Sequence, residues 1–121
     1  MLIKLDFGNF SCNAELFDTK VAKKFAERLP YSVVLTQWGD ELYGEINIDL
    51  GIEKPVNDIP CGGLAYTNKG YLVCIFFGQI PAWPVEYIGQ IVNNDWKKLK
   101  SNQLHDSVLI HAQGEINDKL H

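Results

Sequence analysis

Alternating hydrophobic and polar residues at the start of the chain predict two paired strands. Residues 2–7 alternate apolar with charged side chains, and residues 10–16 repeat the alternation after a turn at Gly8 and Asn9. The two runs therefore predict a β-hairpin, and the alternation places Cys12 on its buried face.

The period of the pattern changes after Asp18, which indicates a helix. Hydrophobic residues recur at helical spacing as far as Leu29, while lysines, a glutamate and Arg28 occupy the opposite face. Asp18 is the expected N-cap, and Pro30 ends the helix. The sequence thus predicts one amphipathic helix packed on a sheet.

Most of the remaining chain predicts short strands separated by turns and loops. Residues 42–50 alternate an apolar face with a polar, acidic one, and the continuously apolar residues 71–77 are typical of a central strand buried on both faces. Further elements are predicted as strands at 31–38, 64–66, 87–92 and 107–113, loops at 51–61 and 79–84, and a short helical turn at 95–100. About eight strands with two helices favour a closed or nearly closed antiparallel barrel, in a single domain covering residues 1–121.

Composition supports a packed domain in a reducing compartment. Of the 121 residues, 46% are hydrophobic and 21% are charged, as in folded globular chains. The three cysteines, Cys12, Cys61 and Cys74, are odd in number and never form C-x-x-C, which argues against disulfides and a zinc knuckle. We therefore expect reduced thiols and a cytoplasmic location.

Charge and hydropathy exclude two classes of partner. The formal net charge is -4, and the basic residues are dispersed except for Lys97, Lys98 and Lys100, which we interpret as a solvated helix face. No apolar run approaches the roughly 20 residues of a membrane-spanning helix, and the start of the chain does not read as a signal peptide. The sequence predicts neither nucleic acid nor membrane as a partner.

Several segments, taken in order, carry a resemblance to a known superfamily. They read NAELFDTKVAKKFAERLP, WGDELYGEI, GGLAYTNKGYLVCIFFGQ, VEYIGQIV and SVLIHAQGE, and together they cover nearly the whole chain. Their order resembles that of the cyclophilin-like superfamily, and more narrowly of its small prokaryotic members of undetermined function. The resemblance implies a cyclophilin-like barrel with a binding groove on one face.

The catalytic part of the resemblance is missing. Prolyl isomerases of this superfamily use an arginine to bond the substrate carbonyl, beside a hydrophobic pocket. Residues 35–38 stand where that arginine is expected, and Arg28, the one arginine of the chain, lies on the predicted outer face of the helix. The resemblance still implies that Phe77 lines the groove, but we predict no catalytic residue.

The candidate ligand-binding residues are aromatic and acidic. Residues 38–45 set such groups around two glycines, and alternation places Glu41, Tyr43 and Glu45 on one face. The alternative is a strand corner with a solvated acidic edge. The full candidate set comprises Trp38, Glu41, Tyr43, Glu45, Tyr66, Phe77 and Trp83.

The aromatic candidates have an alternative interpretation as core residues, because large rings are more often buried than used in a site. Trp83 is the exception, since it lies between Pro81 and Pro84 in a predicted loop, where we expect it to be exposed.

Other chemistries have weaker support in the sequence. His105, His111 and His121 show no metal-ligand spacing, so we predict no metal and no cofactor. Cys61 is expected to be an ordinary loop thiol, because a nucleophile would need a neighbouring base. Signatures of phosphate-binding loops, dinucleotide-binding folds and serine hydrolases are absent from the sequence.

The sequence therefore predicts a binding module for a small molecule or an extended peptide. The alternatives are a weak peptidyl-prolyl cis-trans isomerase and a hydrolase that uses Glu41 or Glu45. Exposed strand edges also leave open the formation of a homo-oligomer.

Overall fold

The structure of the protein, a computed structural model, describes residues 1–101 and 105–114. Its described part contains nine strands and two helices. In chain order they are β1 (Leu2–Asp6), β2 (Ser11–Leu16), α1 (Lys20–Ala26), β3 (Tyr31–Val34), β4 (Thr36–Trp38), β5 (Glu41–Glu45), β6 (Gly63–Thr67), β7 (Leu72–Phe76), β8 (Glu86–Ile91), α2 (Lys97–Ser101) and β9 (Ser107–Ala112). Neither of these helices is long and apolar enough to cross a membrane.

The strands form one antiparallel sheet in the order β3-β9-β1-β2-β8-β6-β7-β5-β4. Its two edge strands, β3 and β4, follow each other in the chain and are separated by Leu35 alone. The sheet therefore curls into a nearly closed barrel, which confirms the predicted fold class. The structure has nine strands rather than about eight, because residues 31–38 form two strands that pair with different partners, β9 and β5.

The larger hydrophobic cluster fills the barrel interior. Val73, Ile75 and Phe77 belong to it from β7 and the residue after it, and α1 adds Val21 and Phe25. Cys12 is fully buried in the same cluster, as the alternation predicts. The apolar face of α1 thus extends the core of the barrel.

A second buried cluster lies on the outer face of β6 and β7. It contains Ala65, Cys74 and Phe76 from these strands, together with Ile59 and Val85 from the loops that cover them. Residues of β7 alternate between the two clusters, so this strand is buried on both faces, as predicted for residues 71–77. The outer cluster borders the candidate site described below.

The first helix is capped by a residue other than the predicted one. The Ala22 backbone N–H donates to Oγ1 of Thr19 at 3.2 Å, and Thr19 has the extended backbone of an N-cap. Asp18 is therefore not the cap, because Thr19 is the last non-helical residue.

The predicted strand at residues 42–50 ends early, since β5 stops at Glu45. The side chain of Tyr66 replaces the missing strand partner: its hydroxyl accepts from the Leu50 N–H at 2.9 Å and donates to the Ile48 carbonyl at 2.7 Å. Asn47 takes a left-handed conformation with φ of 58°, which interrupts the strand. Alternation alone does not reveal this long-range contact.

Candidate functional site

A cavity of about 430 Å³ opens on the outer face of β5 and β7, beneath the loop of residues 77–85. Its wall is mainly apolar and aromatic, as in small-molecule sites. It is lined by Trp38, Glu41, Tyr43, Thr67, Leu72, Cys74, Phe76, Pro81, Ala82, Trp83 and Val85.

Among the residues that the structure describes, Glu41 supplies the single carboxyl group of this wall. It begins β5, and its side chain is only 7% exposed. In the register of β5 with β7, Glu41 lies opposite Phe76 and Tyr43 opposite Cys74, so Glu41 and Cys74 are diagonal neighbours on one face. Burial raises the pKa of Glu41 to about 7, although a hydrogen bond with the Cys74 thiol acts in the opposite direction.

Cys74 is a poor nucleophile in this position. Burial raises the pKa of its thiol, and the nearby charge of Glu41 raises it further. The thiolate, which is the reactive form of cysteine, is therefore strongly disfavoured. The pair serves as a hydrogen-bonded acid and thiol on the cavity wall and lacks the properties of a nucleophile and its base.

Two tryptophans stand at the cavity's exposed rim. Trp38 lies on the edge strand β4, opposite Glu41, and is 53% exposed. Trp83 is 38% exposed, and its indole N–H donates to Oγ1 of Thr67 at 3.1 Å. The ammonium of Lys69 lies 5.2 Å from the centroid of the Trp83 ring. The Trp38 ring thus belongs to a barrel strand, whereas the Trp83 ring is held against the barrel by Thr67 of β6 and Lys69 of the following turn.

The loop that covers the cavity is anchored at both ends. At its start, the Phe77 N–H donates to the Asp40 carbonyl at 2.9 Å, and the Asp40 N–H donates to Oε1 of Gln79 at 3.2 Å. At its end, Val85 and Val56 exchange two backbone hydrogen bonds of 2.8 and 3.0 Å. The cavity is consequently bounded by a fixed loop.

The adjoining loop of residues 51–60 is held by a second buried acid. Glu86 is 4% exposed, and its Oε1 accepts from the Lys54 N–H at 2.7 Å and from the Glu53 N–H. A carboxylate suits this position because it satisfies two backbone donors at once. Glu86 does not line the cavity; it fixes the loop that carries Val56.

The structure brings together Trp38, Glu41, Tyr43 and Trp83 of the predicted set, since all four line the cavity. The other three predicted residues lie elsewhere. Glu45 is exposed and lines a second, more polar recess of about 450 Å³, which shares Tyr43 and Leu72 with the cavity. Tyr66 and Phe77 are buried in the barrel interior.

Sequence reasoning missed several wall residues because β7 is apolar throughout. With no polar positions, its alternation cannot show that Cys74 and Phe76 face outward while Phe77 faces inward. Pairing of Tyr43 with Cys74 supplies the missing register. The wall residues absent from the predicted set are Thr67, Leu72, Cys74, Phe76, Pro81, Ala82 and Val85.

The remaining candidates lie away from this cavity. His105 is buried against the rings of Phe7 and Phe10, with Nε2 2.8 Å from the Leu99 carbonyl oxygen. Within residues 1–101 and 105–114, no three side chains of metal-binding type are grouped together. His121 lies outside the described residues. Arg28 is exposed just beyond α1 and does not line the cavity.

Comparisons with known proteins agree on the fold. A family profile described as "Cyclophilin-like" matches residues 1–111. The solution structure of the hypothetical protein AF2241 from Archaeoglobus fulgidus is similar with a TM-score of 0.71 and 28% identity, over 92% of this chain and 93% of that one. McbB, solved in complex with tryptophan, has a TM-score of 0.71 at 14% identity over 93% of this chain, but only 45% of the McbB chain is covered. None of the curated proteins compared matches the sequence significantly.

Proposed function

This chain belongs to the cyclophilin-like family, and within it we propose that the protein is a binding module for a small molecule with an apolar body. The ligand occupies the cavity beneath residues 77–85. The observation that carries this proposal is an aromatic, open cavity of about 430 Å³ whose described wall residues include a single buried carboxyl group. Apolar walls with few polar groups are the usual composition of small-molecule sites.

A small molecule fits this surface better than an extended peptide. Cys74 and Phe76 of the sheet bound the cavity on its inner side, and the loop residues Pro81 to Trp83 cover another side. Such a pocket surrounds a compact ligand and withdraws its apolar surface from water. An extended peptide would also need the polar recess beyond Tyr43 and Leu72.

The prolyl isomerase alternative lacks its electrophile. The cavity wall contains no arginine, and the only arginine of the chain, Arg28, is exposed beyond α1. The wall therefore offers a substrate carbonyl no guanidinium donor. The proposed binding module includes no catalytic step.

A cytoplasmic location is part of the proposal. Cys12, Cys61 and Cys74 are all free, and Cys61 is exposed. An exposed unpaired thiol is compatible with a reducing compartment, where cysteines are not driven into disulfides.

The proposal is tested by closing the cavity from its exposed side. Ala82 lines the cavity and is exposed, so Ala82→Trp fills the entrance without disturbing the barrel core. The probes are 2-phenylethanol and 2-phenylethylamine, measured by calorimetry and by amide NMR shifts. We expect both to bind the wild type, and Ala82→Trp to weaken each by about ten-fold or more.

Ile80→Trp is the matched control, because Ile80 is 69% exposed in the same loop and does not line the cavity. We expect it to bind both probes like the wild type. Equal weakening by the two variants, or no binding by the wild type, would overturn the proposal. A proline isomerisation assay tests the alternative. If the wild type accelerates isomerisation and Ala82→Trp does not, the isomerase alternative is favoured instead.

A further inference from the structure

The charge of the cavity wall is unbalanced. Glu41 is 7% exposed, yet within residues 1–101 and 105–114 no lysine, arginine or histidine lines the cavity. Among the residues that the structure describes, none forms an ion pair with Glu41, and its assigned hydrogen-bond partner is the neutral thiol of Cys74. A buried carboxylate ordinarily requires a positive partner or several strong donors.

The aromatic residues around Glu41 favour the same sign of charge in a ligand. The rings of Trp38, Tyr43, Phe76 and Trp83 line the same cavity wall as the acid. Aromatic faces carry negative electrostatic potential and attract ammonium groups. Trp83 already shows this property, since the Lys69 ammonium lies 5.2 Å from its ring centroid.

From these observations we propose that the ligand of this cavity is an organic amine, whose protonated nitrogen pairs with the Glu41 carboxylate while its apolar body packs against the aromatic rim. The inference rests on the proposed binding function and specifies the chemical class of its ligand. An anionic ligand would be repelled by the Glu41 carboxylate, and a neutral ligand would leave that carboxylate without a counter-ion.

Binding of an amine is coupled to a proton. Burial raises the pKa of Glu41 to about 7, so acid and carboxylate coexist at neutral pH in the free protein. An ammonium ligand selects the carboxylate, and the acid form releases its proton to solvent on binding. In the described part of the chain, the other titratable groups of the wall are Tyr43 on β5 and Cys74 on β7. The adjacent Asp40 pairs with Lys100 at 4.0 Å.

The test compares ligands that share a phenyl body and differ in charge. The probes are 2-phenylethylamine, 2-phenylethanol and 3-phenylpropionate, titrated into the full chain at about pH 8, where the Glu41 carboxylate predominates. We expect the amine to bind about ten-fold more tightly than the alcohol, and the carboxylate to bind least.

The variant Glu41→Gln isolates the contribution of the charge, because it keeps the shape of the side chain. We expect it to lower the affinity for the amine by about ten-fold while changing that for the alcohol by less than about three-fold. Glu45→Gln is the matched control, since Glu45 lies four positions along β5 on the same face and, of the two recesses, lines only the polar one. We expect it to retain the preference for the amine.

A second measurement follows the proton. Calorimetry at about pH 7, where acid and carboxylate coexist, in buffers of different ionisation enthalpy is expected to show proton release when the amine binds the wild type, and none for Glu41→Gln. The outcomes separate the two proposals. If the alcohol binds as tightly as the amine, or if Glu41→Gln keeps the preference, the amine inference fails while the binding function stands; if none of the probes binds, both fail.

Discussion

At the scale of single residues, the most informative group is a carboxyl that burial keeps partly protonated. Glu41 could be identified as a candidate from its place beside Trp38 and Tyr43, but its protonation state could not. That state depends on the cavity wall, because Cys74 and Phe76 remove water from the acid.

The raised pKa of Glu41 predicts how stability changes with pH. The ordinary value is 4.5 and the folded value is about 7. Between these limits the folded protein holds a proton that the unfolded chain has released, so the free energy of unfolding falls as pH rises through this window. The loss is complete above about pH 7 and amounts to roughly 3 kcal/mol at most.

Glu41→Gln removes this proton and tests the argument. We expect the variant to gain stability relative to the wild type as pH rises from about 4.5 to 7, with a constant difference at higher pH. Urea unfolding of both proteins across this range measures the difference, with Glu45→Gln as control. A difference that does not vary with pH would show that Glu41 titrates normally in the folded state.

At the scale of elements, strands were easier to predict than their ends and partners. Period-two alternation correctly placed β1, β2 and the inward position of Cys12. It failed at residues 46–50, where apolar and polar residues still alternate but the backbone forms hydrogen bonds with the Tyr66 hydroxyl. The local pattern of apolar residues indicates which face of a strand is buried, whereas a side-chain contact between distant segments leaves no signal in the neighbouring sequence.

The same limit applied to the candidate site. Residues 38–45 could be singled out because aromatic and acidic groups cluster there, and three of the cavity residues come from this segment. Trp83 could also be predicted from its place in a proline-flanked loop. The wall residues of β7 could not, since this strand has two apolar faces and only its pairing with β5 shows which one faces the cavity. Phe76 and Phe77 illustrate the difficulty, because neighbouring identical residues belong to different clusters.

The loop of residues 51–60 provides a prediction at this scale. Glu86 accepts from the backbone N–H groups of Glu53 and Lys54, so Glu86→Ala leaves two donors without their acceptor. We expect a loss of about 2 kcal/mol in unfolding free energy and faster hydrogen exchange at both amides.

Glu86→Gln is the control for this loop, because it retains one carbonyl oxygen at the accepting position. We expect exchange at Glu53 and Lys54 to stay close to that of the wild type in this variant. If Glu86→Ala leaves the exchange rates of these amides unchanged, the buried acid does not hold the loop.

At the scale of the whole molecule, the barrel depends on a close approach at its seam. Gly44 on β5 faces the backbone and side chains of β3: a Cβ at this position would overlap the Val34 carbonyl oxygen and the Val33 side chain. The absence of a side chain therefore permits β3 to lie across β5, where the ends of the sheet meet. The cavity depends on this closure, because β5 carries Glu41 and Tyr43.

Closure of the seam predicts a large effect for a small substitution. Gly44→Ala adds one methyl group against backbone that has no rotamer to change, so β3 and β5 must separate. We expect a loss of roughly 2–4 kcal/mol in unfolding free energy, with hydrogen exchange fastest in β4 and β5. Urea unfolding and amide exchange measure the two effects.

Gly8→Ala distinguishes closure from a general cost of replacing glycine. Gly8 has open space around its Cα, and its φ of 95° gives alanine only a conformational penalty of about 1 kcal/mol. If both variants lose the same stability and exchange is uniform along the sheet, the contact at Gly44 does not hold the barrel closed. A larger loss for Gly44→Ala, together with weaker binding of 2-phenylethylamine, would instead link closure of the barrel to the shape of the cavity on its outer face.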